Sequence, residues 1–201
     1  MRKIPTIFER DWSDPRHPIV DKPNPACAWV FAGEGVATRK WDGTSCMVRA
    51  GQLWKRRELR RGEAAPAGFE LEQQDAETGK AVGWVPVGTG PEDRWHREAW
   101  AALTAPAEAS GAPPDGTYEL IGPKVQGNPE CAAVHRLEPH ASAPALPDCP
   151  RTFERLRAFL AEQDTEGVVF HHPDGRMGKI KLRDFGLKRP RTTAARSSAS
   201  A

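Results

Sequence analysis

The chain is 201 residues long, with 29 lysines and arginines against 27 aspartates and glutamates, so the formal charge is only +2. This length suits one medium domain, with or without an appendage, and the near-neutral balance leaves any preference for an anionic partner to local clustering. No apolar run approaches the ~18 residues that cross a bilayer. Four scattered cysteines form no CxxC pair, and the first ten residues lack the apolar core of a signal peptide, so a reduced, cytoplasmic protein is expected. With 18 glycines and 19 prolines, strands joined by turns are favoured over a helical bundle.

In chain order, Ala28–Phe31 is a short apolar run before Gly33 and Gly35, and is expected to be a buried strand. Val36–Lys40 leads to the turn signal Asp42-Gly43, and residues 45–58 form a hairpin about Ala50-Gly51. Residues 62–80, rich in Gly, Ala, Glu and Gln, are expected as an exposed excursion, followed by the extended Trp84–Val87. Pro91 opens a helix carrying Trp95, Ala99, Ala102 and Leu103 on one face. After a loop at 105–116, Tyr118–Ile121 is a strand, and 139–150 is a proline-rich connection. The clearest helix is Arg151–Gln163, with Phe153, Leu156, Phe159 and Leu160 along one side. Gly167–Phe170, the Pro173-Asp174-Gly175 turn and Met177–Leu182 make a second hairpin. Lys188–Ala201 contains four basic residues and no acid, the composition of a disordered basic tail. The fold class is therefore α+β, with antiparallel sheets and flanking helices in one domain spanning 1–187 and a tail at 188–201.

Three segments pair charge with glycine turns. In Lys40-Trp41-Asp42-Gly43-Thr44-Ser45 a lysine sits beside a turn between strands, held firmly yet able to reach a phosphate. To act as a nucleophile it must lose a proton, which nearby cations and burial favour; taken alone, the motif equally describes a solvated turn. In Thr117-Tyr118-Glu119-Leu120-Ile121, Glu119 either projects toward a ligand or metal or faces solvent. In the third, Glu166 opens one hairpin arm and Lys179 and Lys181 leave the same face of the other. Two neighbouring ammonium groups invite a phosphate between them and lower the pKa of a third lysine nearby; the plainer reading is an edge strand protected by charge.

The order of these pieces is more specific than any one of them. The chain resembles the lysine-dependent nucleotidyltransferases, and within them the small ATP-dependent 5′-to-3′ RNA ligase family, also found in vertebrates. The likeness runs through KIPTIF, KWDGTSC, LWKRRELR, VGWVPVG, YELIGPKVQGNPE, EGVVFHHPDGRMGKIKL and DFGL, from about residue 3 to 187. The resemblance implies a nucleotidyltransferase domain without an OB-fold, in which Lys40 takes AMP from ATP and passes it to an RNA 5′-phosphate. A 3′-hydroxyl then displaces AMP and seals the strand, in RNA repair. It further implies that Asp42 and Gly43 shape the nucleophile's loop, and that Arg56, with Arg57 as the alternative, contacts the nucleotide. Glu119 would engage the ribose or a metal, Glu166 the metal, and Lys179 and Lys181 the α-phosphate, with Mg²⁺ or Mn²⁺ as the cation. His135 and His140 are candidates for adenine stacking. His171-His172 makes a poor metal site, because adjacent strand residues face opposite ways.

With no OB-fold, the grip on RNA falls to the clusters Lys55-Arg56-Arg57-Arg60-Arg61 and Lys188-Arg189-Arg191. A monomer acting on RNA with 5′-phosphate and 3′-hydroxyl ends, with no membrane, completes the expectation. The alternatives are a DNA-nick ligase or a capping-type guanylyltransferase, both of which commonly carry an OB-fold, and more distantly a non-catalytic RNA-binding protein.

Overall fold

The computed structural model describes residues 2–105 and 112–189. The basic tail beyond Arg189 and the middle of the 105–116 loop lie outside the described residues. The secondary structure is mixed and its sheets are antiparallel, consistent with α+β. The chain gathers into two compact units, one formed by Ile4–Lys40 and Pro144 onward, the other by Trp41–Ala143 with the chain up to Lys3.

In the first unit, β1 (Phe8–Arg10) and β2 (Ile19–Pro23) form a ribbon. Next comes α1 (Ala28–Phe31), a single helical turn where the apolar run suggested a strand. The reason lies just upstream: a 3-10 turn, Pro25–Cys27, is started by Asn24, whose side chain accepts the Ala26 N–H at 3.0 Å, and by Pro25 with its helix-ready φ, and this turn runs directly into α1. β3 (Val36–Lys40), β10 (Gly167–His171) and β11 (Met177–Lys181) build a three-stranded sheet with β10 in the middle. Its inner face, carrying Ala37, Val168, Phe170 and Ile180, is sealed by Leu156 and Leu160 of α3 (Phe153–Glu162) and by Ile7, Phe8, Cys27 and Val30. β11 is an edge strand of this sheet, met at one point by the first segment: Lys179 donates its N–H to the Pro5 carbonyl at 2.9 Å and its carbonyl accepts the Ile7 N–H at 3.0 Å.

In the second unit, six strands run in the spatial order β6 (Glu70–Gln74), β7 (Ala81–Pro86), β5 (Gln52–Leu59), β4 (Thr44–Arg49), β8 (Gly116–Ile121) and β9 (Arg136–Pro139). The β4–β5 turn has φ of 50° at Ala50 and 71° at Gly51, the left-handed pair that a tight two-residue hairpin requires. α2 (Arg94–Thr104) covers one face through Ala99, Trp95, Trp100 and Leu103, against Cys46, Val48, Leu53, Tyr118, Leu120 and Leu137. β6 falls inside the expected excursion. Glu-Leu-Glu-Gln-Gln has no apolar alternation and leaves Leu71 exposed, and the strand is set by backbone pairing to β7.

One glycine governs the outer face of the three-stranded sheet. Gly167 pairs with Lys40 on one side and Lys181 on the other, and a Cβ there would stand 2.2 Å from the Ile180 carbonyl oxygen. Backbone cannot yield by that much. Gly167→Ala is expected to cost about 2–3 kcal/mol in chemical denaturation, as overpacking does.

Candidate functional site

Strand register brings four of the predicted residues together within the first unit. Lys40 and Lys181 both lie opposite Gly167, and Lys179 lies opposite Val169, so all three ammonium groups leave one face. Glu166, just ahead of β10, places its carboxylate between them: one oxygen accepts from Lys40 Nζ and the other from Lys181 Nζ at 2.5 Å. These side chains are only 13–18% exposed, so the charges are poorly screened. Burial by itself would raise the Glu166 pKa, but the charges of Lys40 and Lys181, with their hydrogen bonds, outweigh it and hold the carboxyl below its ordinary range.

The lysine whose pKa falls is Lys179, to about 8, first because it is buried and then because Lys181 and Lys40 repel its charge. The depression thus falls on a member of the Lys179–Lys181 pair itself. Thr165, buried beside the cluster, sets its hydroxyl 3.2 Å from the Lys40 carbonyl and 3.0 Å from that of Gly167, tying β3 to β10. Asp184 accepts the Lys181 N–H at 3.0 Å and is itself held by Arg10 at 2.6 Å. Neither Thr165 nor Asp184 was singled out from sequence; a buried hydroxyl and a carboxylate just beyond the strand announce themselves only through contacts.

The second unit holds the turn that follows Lys40. Glu119 is 6% exposed, which removes the solvent-facing reading. Its Oε1 accepts the Gly43 N–H at 3.0 Å, and its Oε2 lies 3.0 Å from His140 Nε2, whose Nδ1 meets Thr117 Oγ1 at 2.9 Å. Glu130, also unmarked in the sequence, accepts the Asp42 N–H at 3.0 Å.

Of the two arginine candidates, Arg56 lies on the same sheet face as Glu119, opposite the face of Lys55, and is partly buried. Burial lowers its pKa, countered by Glu58, Glu72 and Glu119. Arg57 faces the other way, half exposed, and pairs with Glu63 at 2.6 Å. The basic run therefore divides: Lys55 is committed to buried Asp93 at 2.5 Å, while Arg57, Arg60 and Lys80 line an open groove with Glu58, Leu59 and Glu63.

His135 is stacked on Trp95 with ring centroids 4.4 Å apart and is hydrogen-bonded to Glu98 at 2.8 Å, so one ring face is taken by the protein's own indole. His171 meets Thr38 Oγ1 at 3.0 Å while His172 meets Glu34 at 2.8 Å, separate partners for adjacent residues.

Both oxygens of Glu166 carry ammonium partners, both oxygens of Glu119 carry protein partners, and no group of three or more metal-binding side chains occurs among the described residues. No helix among the described residues is long and apolar enough to cross a membrane. Comparison with models of known protein families, and with curated proteins, finds no match to the chain.

The lysine cluster has a pH signature. Because folding lowers the Lys179 pKa from 10.5 to about 8, the unfolded chain binds more protons between those values, and stability rises with pH across that window. The difference in unfolding free energy between the protein and Lys179→Met is expected to shift in favour of the protein by about 1–3 kcal/mol from pH 8 to 10. Urea titrations at the two pH values read it.

Proposed function

We propose that this chain is an ATP-dependent RNA ligase that joins a 5′-phosphate to a 3′-hydroxyl through a lysyl-AMP intermediate on Lys40. The observation that carries the proposal is the convergence of Lys40, Lys179 and Lys181 around the single carboxylate of Glu166 on one sheet face. Three ammonium groups about one carboxylate leave an excess of positive charge in a half-buried place. Such a place favours a phosphate, and burial together with the charges of Lys181 and Lys40 lowers the pKa of Lys179.

In the first step Lys40 Nζ, after losing a proton, forms a bond to the α-phosphorus of ATP, the bond to the bridging oxygen breaks, and pyrophosphate leaves. AMP then passes to the 5′-phosphate of an RNA end, releasing Lys40. Finally the 3′-hydroxyl attacks that phosphorus and AMP departs. Lys179 and Lys181 neutralise the charge that spreads over the α-phosphate oxygens, and Glu166 keeps both Lys40 and Lys181 aimed at the same point. By the resemblance, Arg56 and Glu119 are the candidates for contacts to the nucleotide. Mg²⁺ or Mn²⁺ enters this reading as the partner of ATP's own phosphate oxygens, and no step is assigned to it.

Intact mass after incubation with ATP and Mg²⁺ tests the proposal, with GTP in parallel. A gain of roughly 329 Da, mapped to Lys40 and absent in Lys40→Ala, is the expected result. An adduct on Lys179 would overturn the residue assignment, a GMP adduct would move the protein to the capping class, and no adduct on nucleotide-free protein would sink the ligase reading.

For the RNA itself, Arg57, Arg60 and Lys80 offer a cationic groove on the second unit. The double variant Arg60→Glu/Lys80→Glu is expected to bind RNA at least about tenfold more weakly, with a shallower salt dependence, while its lysyl-AMP formation is unchanged. Fluorescence anisotropy at two salt concentrations, beside the mass measurement, separates these effects.

A further inference from the structure

We infer that Glu130 is a positioning residue that sets the path of the chain as it leaves Lys40; the inference rests on the reading of Lys40 as nucleophile. The turn after Lys40 offers two successive backbone amides, and each meets a carboxylate from a different segment: Asp42 N–H donates to Glu130 Oε1 and Gly43 N–H to Glu119 Oε1, both at 3.0 Å. Charge-assisted bonds of this kind are roughly twice as strong as neutral ones, and two in succession fix a peptide plane as well as a point. Gly43 also lies close against β8, where a Cβ would stand 2.1 Å from the Leu120 carbonyl oxygen.

The two carboxylates are held differently. Glu119 stands on β8 and is braced by His140, itself braced by Thr117. Glu130 stands on the connection between β8 and β9, where no ladder supports it, and that connection is wound tightly by its own bonds. Val125 N–H donates to Gly122, Asn128 N–H to Val125 and Cys131 N–H to Asn128, at 3.0, 2.7 and 3.1 Å. The Asn128 side chain bonds both the N–H and the carbonyl of Ala132, at 2.8 and 3.1 Å, and Lys124 N–H reaches His135 Nε2 at 3.2 Å.

Gln126, Asn128 and Cys131 take left-handed φ values of 49°, 58° and 50°. Asn adopts that region readily; Gln and Cys do so at a cost of about 1–2 kcal/mol each. A connection that accepts such strain and closes it with side-chain bonds presents its one inward carboxylate in a defined place. That carboxylate meets the peptide two residues past the nucleophile, where a displacement of about 1 Å is enough to lower a reaction rate a hundredfold.

The test is single-turnover formation of lysyl-AMP by the full chain with ATP and Mg²⁺, in Glu130→Ala, Glu130→Asp and Glu130→Gln. Alanine removes the acceptor, and aspartate keeps the charge but is one methylene short. Both are expected to lose about 10- to 100-fold in maximal rate with KM for ATP within about twofold. Glutamine keeps an oxygen acceptor at the same reach and is expected to stay within about threefold of the parent. Wild-type rates in the alanine and aspartate variants, a loss confined to KM, or a glutamine variant as slow as alanine would each overturn the inference. If alanine does not fold, aspartate decides.

Hydrogen exchange at the Asp42 amide reads the clamp without chemistry. It is expected to quicken at least about tenfold in Glu130→Asp and to stay protected in Glu130→Gln, and unchanged exchange in the aspartate variant overturns the inference. A parent protein that forms no adduct condemns the ligase reading, while this exchange measurement still decides the role of Glu130.

Discussion

In the three-stranded sheet, the carboxylate of Glu166 receives an ammonium group on each of its two oxygens, from Lys40 at the end of β3 and Lys181 at the end of β11. The outer face of that sheet depends on this shared carboxylate. It offsets the mutual repulsion of the lysines and fixes two of them, while burial, with the charges of Lys181 and Lys40, lowers the pKa of the third, Lys179. The geometry is possible because the residue between the paired lysines is Gly167, which leaves the gap that any side chain would fill and lets the strands close.

A buried ion network of this kind is a poor way to gain stability, since desolvation consumes most of the Coulomb attraction. What it does do is hold Lys40 and Lys181 at fixed points about one carboxylate. The same economy governs the turn at Asp42-Gly43, whose amides are tied to Glu119 and Glu130 rather than left to solvent. In both places acidic side chains do the holding, and a chain of nearly zero net charge still gathers three lysines on one sheet face.

Both hairpins were legible in the sequence because their turn residues are specific: Ala50-Gly51 takes the left-handed pair, and Pro173-Asp174-Gly175 closes the arms that carry Glu166, Lys179 and Lys181. α2 and α3 were legible from apolar spacing. Ala28–Phe31 was not, because a four-residue apolar run has no period and the deciding signal, Asn24 followed by Pro25, lies outside it. β6 escaped notice because an edge strand needs only a backbone neighbour and no hydrophobic face.

For the site, the shared face of Lys179 and Lys181 followed from the two-residue period of a strand, while the choice of Lys40, Glu166, Lys179 and Lys181 came from the order of motifs that carries the family resemblance. The pairing of Lys40 opposite Gly167, the choice of Arg56 over Arg57 on the face of Glu119, and the division of the basic run did not. Nor did the partners Thr165, Glu130 and His140, which are distant in sequence from Lys40, Asp42 and Glu119, or Asp184, which accepts the N–H of Lys181 only three residues before it. Periodicity fixes which way a side chain leaves its own strand, and so the sequence alone determines the two hairpins, the two longer helices and the alternation of side chains along each arm. Which strands become neighbours, and which carboxylate reaches which amide, is set by long-range register and packing, and only the tertiary structure decides it.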